Sequence, residues 1–369
     1  MVEESLQLYR IIQNNFPHLS HLSAANDEAD MLTGWWREED WRGDVRYASS
    51  VIEAIVLFYQ AKKQGKIRLK HISNDNAFLN IPPSYFNQRT LLTRFIINNS
   101  NGESHDQFIR KPVMIAMAMA AYLDGFEVQY ILKPNYSNLS VLATCNDIKE
   151  MESCAVLLTY NSDLKINLTK TYVEVNINLT KHTEISLFIY VLDNNMIHPE
   201  SVWTQAGKPS MPSANLLRKM RQVEGPHRIY GKKLKNVKRN LKIQLQISMP
   251  SIALIHICKR TDKRPKKVKL VHALNITYNE VLLIWKDSKI GTRCVKTYEL
   301  QFCAGYCKSN SFKRINNEDI ILLGYQYVPD IEENMIQETT VGLYRVRVVD
   351  YWGRKGIFSN IISYGLSFI

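Results

Sequence analysis

The sequence lacks the patterns by which several large classes of protein are recognised. No apolar run approaches the roughly 20 residues that a transmembrane helix needs, and the first 16 residues are acidic and amphipathic rather than a signal peptide. The six cysteines form no C-x-x-C pair and the nine histidines form no H-E-x-x-H motif. There is also no phosphate-binding glycine loop and no nucleophile elbow. The sequence therefore predicts no membrane span, no metal and no cofactor.

The composition is that of a globular protein with two or three domains, since 45% of the 369 residues are hydrophobic and 22% are charged. The net charge of +12 is unevenly placed, because the stretch from Lys208 to Lys269 holds 18 Lys and Arg against two acids. This basic stretch is either a solvated lysine-rich face or a surface for a polyanion such as nucleic acid, a sulfated glycan or an acidic membrane. It lacks the interleaved aromatic residues of single-strand nucleic-acid platforms, so no nucleic-acid partner is predicted.

Hydrophobic periodicity divides the chain into three blocks. In residues 1–125 we predict strand, acidic turn and helix in succession, twice over; the first helix closes at Gly65, the next strand is 66–73 and the second helix is 111–125. In such βα sheets, functional residues collect at the carboxyl ends of the strands.

From residue 126 the hydrophobic period changes to two, as in "TYVEVNINL" and "LKIQLQI", which predicts a β-sandwich over 126–262. The block 263–369 follows a basic linker. Its segments "VLLIWK", "TYELQF" and "YRVRVVDYWGRKGIFS" (344–359) are typical of strands B, C and F–G of a fibronectin type III domain, in which Trp285 and Tyr344 would pin the two sheets.

The acidic stretch "NDEADMLTGWW" (26–36) is the first candidate site. Glu28 and Asp75 lie in consecutive acidic turns, and a glycosidase needs two carboxylates about 5–10 Å apart. Trp35 would suit a sugar face, and the Arg89 guanidinium would suit a substrate carboxylate. The alternative is that these residues have structural roles. Asp27 or Asp30 would then cap the following segment, Asp75 would be an acid in a turn, and Arg89 would pair with Asp75.

The segments "NDEADMLTGWW", "DWRGDVRYAS", "SNDNAFL", "FNQRTLLTRF" and "RKPVMIAMAMAAYL" together resemble the α-L-iduronidases, retaining enzymes of glycoside hydrolase family 39. The resemblance continues in order through "VWTQAGKPSMPSANLLRKMRQVEGP", "LIHICKR", "VLLIWKDSKIGTRCVKTYELQF" and "YRVRVVDYWGRKGIFS", and covers nearly the whole chain. It implies a (β/α)8 barrel, a β-sandwich and a fibronectin type III-like domain, of which this chain holds the carboxyl-terminal part of the barrel and the other two domains. The implied substrates are glycosaminoglycans, namely dermatan sulfate and heparan sulfate, from which terminal α-L-iduronic acid is removed.

The resemblance also implies roles for particular residues. Glu28 matches the catalytic nucleophile, Gly34 and Trp35 match a loop beside the sugar, and Asp75 and Arg89 match substrate contacts, with Arg89 facing the uronate carboxylate. Asn98 matches a glycosylated Asn, and Cys258 and Cys294 match a disulfide. Six Asn-x-Ser/Thr sequons fit a lysosomal or secreted glycoprotein, with Asn98, Asn138 and Asn167 as the expected sites; they are Asn98, Asn135, Asn138, Asn167, Asn178 and Asn275. The pairing of Cys145, Cys154, Cys303 and Cys307 is left open.

One family element has no counterpart in the sequence. The family's acid/base Glu follows an Asn on an earlier barrel strand, whereas the 27 residues before Glu28 contain no such pair. The chain is therefore expected to be an inactive fragment in which the apolar faces of the helices in 1–125 stay uncovered, so that proteases degrade this region quickly. The competing hypothesis is a non-catalytic glycan-binding or assembly module.

Overall fold

The computed structural model of the chain describes twelve stretches. These are residues 2–27, 37–73, 77–98, 102–133, 138–147, 151–161, 166–179, 184–237, 239–277, 280–306, 311–329 and 339–366.

The amino-terminal part contains a βαβ unit. Its elements are α1 Val2–Asn15, β1 Ala24–Asn26, α2 Val45–Lys63 and β2 Leu69–Ile72. Strands β1 and β2 are parallel, and α2 is the crossover between them. Helix α2 begins where the Asp44 side chain accepts a hydrogen bond from the Arg46 backbone N–H, and it is followed by Gly65 in the left-handed region at φ +69°. The helix predicted to close at Gly65 is thus present.

A β-hairpin that the sequence did not predict lies between β2 and the second helix. The elements are β3 Ala77–Leu79, β4 Thr90–Asn98, β5 Ser104–Arg110 and α3 Pro112–Ala120. Strand β3 is parallel to β4, whereas β4 and β5 pair antiparallel. One face of the hairpin, with Phe95 and Ile109, packs against Trp203 of α4 and Met220 of α5. The expectation of a single strand before the helix 111–125 was wrong, and the helix ends earlier than expected.

The middle of the chain forms two facing antiparallel sheets. The larger sheet has the strand order β11-β10-β13-β8-β7-β6 and the smaller sheet consists of β12 and β9. The strands are β6 Phe126–Glu127, β7 Leu139–Cys145, β8 Ser153–Tyr160, β9 Asn167–Asn178, β10 Ile185–Asp193, β11 His227–Leu234, β12 Asn240–Met249 and β13 Ser251–Lys259, with α4 Pro199–Gln205 and α5 Ala214–Gln222 between β10 and β11. Alternate residues of β9 and β12, such as Val173 and Leu245, fill the space between the sheets.

The carboxyl-terminal part consists of a three-stranded sheet, β14-β15-β18, and a four-stranded sheet, β17-β16-β19-β20. The strands are β14 Lys269–Thr277, β15 Glu280–Lys286, β16 Val295–Ala304, β17 Lys313–Arg314, β18 Gly324–Tyr327, β19 Gly342–Asp350 and β20 Ile362–Tyr364. Trp285 and Tyr344 are both buried, and the Tyr344 Oη donates to the Thr340 carbonyl over 2.5 Å.

The expected pair of strands within 344–359 is only half correct. Strand β19 ends at Asp350, whose carboxylate accepts hydrogen bonds from the backbone N–H groups of Trp352 and Arg354 at 3.0 and 2.9 Å. After this capped turn the chain runs back along β19 without forming a regular strand, since the Gly356 and Ser359 backbone N–H groups donate to the Val348 and Val346 carbonyls over 2.9 and 2.7 Å. The next regular strand of the sheet is β20 at 362–364.

The helices of the amino-terminal block share one hydrophobic core with the sheets. Residues of α2 and α3, including Tyr47, Ile52 and Ile115, are buried together with residues of the six-stranded sheet and of both carboxyl-terminal sheets. Polar contacts reinforce this packing, since the Ser49 Oγ lies 3.2 Å from Asn161 Oδ1 and the Thr159 Oγ1 donates to the Ser49 carbonyl over 3.3 Å. The expectation of uncovered helix faces was therefore wrong for α2 and α3, because the β-sheets cover them.

Backbone contact between the blocks is close at Gly291. A Cβ on this residue would collide with the carbonyl of Tyr122, which follows α3. Next to this contact, the Phe188 and Tyr351 rings stack with their centroids 3.7 Å apart. The middle and carboxyl-terminal sheets are thus fitted directly against α3 and against each other.

Cysteine pairs join neighbouring elements. Cys258, at the end of β13, is bonded to Cys294, just before β16, which is the pair expected from the resemblance. Cys145 and Cys154 face each other across β7 and β8 and are also bonded. Cys303 is disulfide-bonded as well, while Cys307 lies outside the described residues.

The basic stretch is distributed over several elements. Lys232 and Lys233 are exposed on β11, which is the edge strand of the six-stranded sheet, where lysines disfavour pairing with another chain. Other cations of the stretch are paired, as Lys242 is with Glu174 at 2.7 Å.

None of the helices in the described ranges has the length and apolarity to span a membrane.

Candidate active site

The carboxyl ends of β1 and β2 meet beside the acidic stretch. The Ser73 backbone N–H donates to the Asn26 carbonyl over 2.9 Å, and the Ser73 Oγ lies 3.3 Å from the Asp27 carbonyl. The residue before Glu28 therefore touches the residue that follows β2. Glu28, Gly34, Trp35 and Asp75 themselves lie outside the described residues.

Arg89 is brought to the same region by a second pair of parallel strands. Ala77, at the start of β3, is the register partner of Thr90, at the start of β4. Arg89, which directly precedes Thr90, therefore lies next to the start of β3. Arg89 is only 5% exposed, so this guanidinium is buried rather than held in open solvent.

The turn that carries Arg89, residues 84–90, is tied to the segment that follows the acidic stretch. The Glu39 backbone N–H donates to the Asn87 carbonyl over 3.0 Å, and the Asn87 Nδ2 donates to Asp40 Oδ1 over 3.2 Å. On its other side Tyr85 stacks on Phe95, with ring centroids 4.7 Å apart. Two segments distant in sequence, one that begins at residue 37 and one that spans 84–90, are thus held together.

A group of three charged side chains lies beneath this turn, with Lys111 and Arg42 buried and Glu200 half-buried, and the sequence reading missed it. Lys111 is completely buried, and its Nζ donates to the carbonyls of Phe86 and Gln88, each over 2.7 Å. Burial lowers the pKa of Lys111 to about 7, with the neighbouring Glu200 opposing this shift and Arg42 adding to it. Glu200 lies over Gly43, at a position that a Cβ on Gly43 would occupy. Burial, with a further contribution from Asp44, raises the pKa of Glu200 to about 7.

Trp41 and Arg42 lie just before α2 and pack against each other next to these charges. The Arg42 guanidinium carbon lies 5.0 Å from the centre of the Trp41 ring, and the Arg42 side chain also donates to the Arg37 carbonyl. The Trp41 ring in turn meets the Tyr47 ring edge-on at 5.6 Å. The sequence signal was the "DWRGD" segment, which was used only for its resemblance and not for its buried arginine.

The three expected glycosylation positions are on the surface. Asn98, Asn138 and Asn167 are all exposed. The Asn98 side chain accepts a hydrogen bond from the Ser104 hydroxyl over 2.9 Å, and the Asn167 side chain accepts one from the Thr169 backbone N–H over 3.0 Å. All three lie where an attached glycan would extend into solvent.

A separate groove of about 1630 Å³ lies where β5, α5 and the carboxyl-terminal sheets meet. Its floor carries two buried ion pairs, Arg110–Glu224 at 3.0 Å and Arg221–Glu280 at 3.3 Å. Its rim carries three exposed cations, Arg218, Lys313 and Arg314. Within the part of the chain that the structure describes, these three side chains have no ion pair or hydrogen bond, and no cluster of ligating side chains fit for a metal ion occurs.

The fold agrees with what comparison with known proteins gives. Residues 1–240 match the family described as glycosyl hydrolases family 39, and residues 269–365 match the α-L-iduronidase C-terminal domain. The chain therefore belongs to glycosyl hydrolase family 39. Within the family, the relatives it matches along its length are α-L-iduronidases: it is 32% identical to the mouse enzyme over 381 residues and 31% identical to the human enzyme over 380 residues.

Each of these matches covers 99% of this chain but only 58% of the mouse protein and 56% of the human protein. The chain thus spans a little over half the length of these curated relatives. Among solved structures, it resembles a bacterial orthologue of human α-L-iduronidase with a TM-score of 0.80 at 16% identity, over 99% of this chain and 61% of that one. It also resembles the family 39 enzyme of Xanthomonas axonopodis pv. citri, with a TM-score of 0.51 at 15% identity over 70% of this chain and 49% of that one.

Proposed function

We propose that the chain is the part of a retaining α-L-iduronidase that supplies the nucleophile and the contact to the substrate carboxylate. The substrates proposed are dermatan sulfate and heparan sulfate, from which terminal α-L-iduronic acid would be released. The observation that carries the proposal is the adjacency of Asp27 and Ser73 at the carboxyl ends of two parallel strands, since this edge is where βα-sheet glycosidases hold their carboxylates. The α-L-iduronidase matches along 99% of the chain support it.

In this mechanism the Glu28 carboxylate attacks the anomeric carbon and forms a glycosyl ester, while the glycosidic oxygen leaves with a proton from an acid. Water then cleaves the ester, and its proton returns to the same acid/base. Arg89 would bind the uronate carboxylate through its two-pronged guanidinium, with Asp75, Gly34 and Trp35 lining the same sugar site. No residue of the 369 matches the acid/base, so we expect these residues by themselves not to turn over iduronides.

The domain plan proposed is a barrel segment over 1–125, a β-sandwich over 126–262 and a fibronectin type III-like domain over 263–369. The last assignment rests on sheets of three and four strands with Trp285 and Tyr344 buried between them. Lysosomal or secreted targeting, with glycans at Asn98, Asn138 and Asn167, fits the disulfides and the exposed sequons.

A substrate analogue that needs no acid tests the nucleophile directly. In 2-deoxy-2-fluoro-α-L-iduronosyl fluoride the leaving fluoride requires no protonation, and the 2-fluorine slows hydrolysis of the ester. We expect the 369-residue chain to become covalently labelled, with the label located on Glu28 by peptide mass spectrometry.

Two neighbouring carboxylates provide the matched comparison. Both Glu28→Gln and Asp27→Asn remove one negative charge with little change in size, so the two variants are matched. Glu28→Gln should abolish labelling because it removes the nucleophile, whereas Asp27→Asn should retain labelling. A label on Asp75, or a label that survives Glu28→Gln, would contradict the assignment of Glu28.

The second candidate function, a glycan-binding module without catalysis, is favoured by the groove. Its three rim cations, Arg218, Lys313 and Arg314, suit a sulfated chain. If this function is correct, replacing all three by Ser should weaken binding of a heparin oligosaccharide by about tenfold or more at physiological salt. The control replaces three other exposed cations, Lys232, Lys233 and Lys235, on and just after β11. Equal losses in both variants would mean that binding follows net charge rather than the groove.

A further inference from the structure

Lys111 holds the turn that presents Arg89. Its Nζ donates to the Phe86 carbonyl and to the Gln88 carbonyl at 2.7 Å each, and to the Thr90 Oγ1 at 3.3 Å. The three acceptors lie on both sides of Arg89 in the chain. An ammonium group has three N–H donors and no acceptor, so the number of acceptors matches the number of donors.

The side chain has no other evident use. Lys111 is completely buried, so it does not reach solvent or bind a ligand at the surface. Burying an ammonium is costly unless its hydrogens are bonded, and a methionine of similar length would fill the same space without that cost. The charged groups that face Lys111 are Glu200, on α4, and Arg42, before α2.

Other contacts of the turn reach residues 86–88, where the Ile81 backbone N–H donates to Gln88 Oε1 over 2.9 Å. Phe86 is fixed by its ring, which lies 5.3 Å from the Trp203 ring, and Asn87 is bonded to Glu39 and Asp40. Between Asn87 and the start of β4, the carbonyl of Gln88 is bonded to the Thr90 backbone N–H over 2.9 Å and to Lys111. Loss of Lys111 would therefore loosen residues 88–90 while leaving the aromatic packing of Phe86 in place.

We infer that Lys111 is a positioning residue for Arg89, which fixes the 86–90 turn so that the guanidinium meets the carboxylate of a uronate at a set distance and angle. The inference rests on the proposed function, in which Arg89 recognises that carboxylate. Placement of a fork-shaped guanidinium within a fraction of an ångström decides how well it binds a carboxylate, because both hydrogen bonds must form at once. Lys111 would act on affinity through Arg89, without touching the sugar.

Hydrogen exchange tests the effect on the turn. In the full chain carrying Lys111→Met, the amide of Thr90 should exchange at least about tenfold faster, whereas amides of the β4–β5 pairing should keep their rates. Lys111→Arg, which restores buried donors, should recover part of the protection. The control is Lys63→Met, which removes a lysine paired with Glu127 at the end of α2 and should leave the turn unchanged.

Ligand binding tests the effect on recognition. The probes are methyl α-L-iduronide and its uncharged uronamide, measured by calorimetry or by NMR titration. We expect Lys111→Met to reduce the preference for the carboxylate by about tenfold with little change in binding of the amide, as Arg89→Gln would, and Lys111→Arg to restore it. The double variant Lys111→Met/Arg89→Gln should lose no more than Arg89→Gln alone.

The proposed role of Arg89 and the inferred role of Lys111 are refuted by different results. Absence of any carboxylate preference in the unaltered chain would refute the role of Arg89, and the inference with it. A preference that survives Lys111→Met, or a Thr90 amide that exchanges at the same rate in a folded Lys111→Met chain, would refute the inference alone. If Lys111→Met shows no cooperative unfolding transition, Lys111→Leu, which likewise has no N–H donor, supplies the same comparison.

Discussion

Lys111 is buried and Glu200 is half-buried, and no local sequence pattern marks either residue. Glu200 follows Pro199 at the start of a short helix and would ordinarily be taken as a solvated first-turn acid. Its burial depends on Gly43, a residue far away in the chain that leaves room for the carboxylate. Glu28 and Arg89, by contrast, were singled out because an acid beside apolar rings and a guanidinium that suits a substrate carboxylate are candidates for chemistry. Sequence thus identified candidate groups for chemistry and missed the charges that support them.

The raised pKa of Glu200 makes a prediction about stability and pH. A carboxyl whose pKa is raised by folding stabilises the protein while it is protonated, and this contribution is lost as pH rises through the folded pKa of about 7. Glu200→Gln, a neutral replacement of nearly the same shape, should match the wild type at pH 4 and be more stable at pH 8 by about 1–3 kcal/mol. Urea unfolding at the two pH values measures the difference.

Glu318→Gln serves as the control, because it removes an exposed carboxylate of the carboxyl-terminal part. A Glu200→Gln chain that is less stable than the wild type at pH 8 would mean that the ionised carboxylate is a net stabilising partner of Lys111.

The secondary-structure elements that were predicted are those whose buried residues recur at a regular spacing in the sequence. The elements that were missed depend on one side chain that caps the backbone or on packing against residues far away in the chain. Helix α2 shows its period through Tyr47 and Val51, and β9 alternates Val173 and Val175 with polar residues. The segment after β19 has the apolar content of a strand, but the Asp350 carboxylate accepts hydrogen bonds from the Trp352 and Arg354 backbone N–H groups and so holds the chain in a turn. The β4–β5 hairpin was missed because its buried face, with Phe95 and Ile109, packs against α4 and α5, which lie far along the chain.

The disulfides connect elements over loops of different length, and their contributions should differ accordingly. Cys258 and Cys294 are 36 residues apart, whereas Cys145 and Cys154 are 9 apart. Loop-closure entropy gives about 4 kcal/mol for the first and about 2.5 kcal/mol for the second. We expect Cys258→Ser/Cys294→Ser to lower the free energy of unfolding more than Cys145→Ser/Cys154→Ser, as measured by denaturant unfolding of both double variants.

The opposite order would show that packing around the bonds outweighs the length of the loops. Cys258 is in contact range of His256 and Ser153, which are both buried, so a serine there keeps polar neighbours.

At the scale of the whole molecule, the shared core changes the expected pattern of proteolysis. Helices α2 and α3 are buried with the sheets, whereas α1 contacts the rest mainly through Leu6 and Tyr9 and exposes Leu8 and Ile11. Proteases should therefore remove the region before about residue 38 first and leave a product that still contains α2.

Mass spectrometry of the limit digest measures this boundary. A stable product that begins near residue 126 would instead support the original expectation that the entire amino-terminal block is lost. Ile52→Ala provides a check, since loss of a buried side chain from α2 should cost about 2–5 kcal/mol and open the core to cleavage in the sheets as well.

The core that runs from α2 through the six-stranded sheet to Tyr344 and Trp285 also bears on how such a chain is inherited. A recombination event that exchanged the carboxyl-terminal sheets for those of an unrelated gene would leave the apolar residues of α3 and of the six-stranded sheet facing a surface that was never fitted to them. The close contact of Gly291 with the Tyr122 carbonyl adds to this mismatch, because any other residue at position 291 would place a Cβ against that carbonyl. Lineages that carry this fold should therefore pass these blocks on together, as one heritable unit.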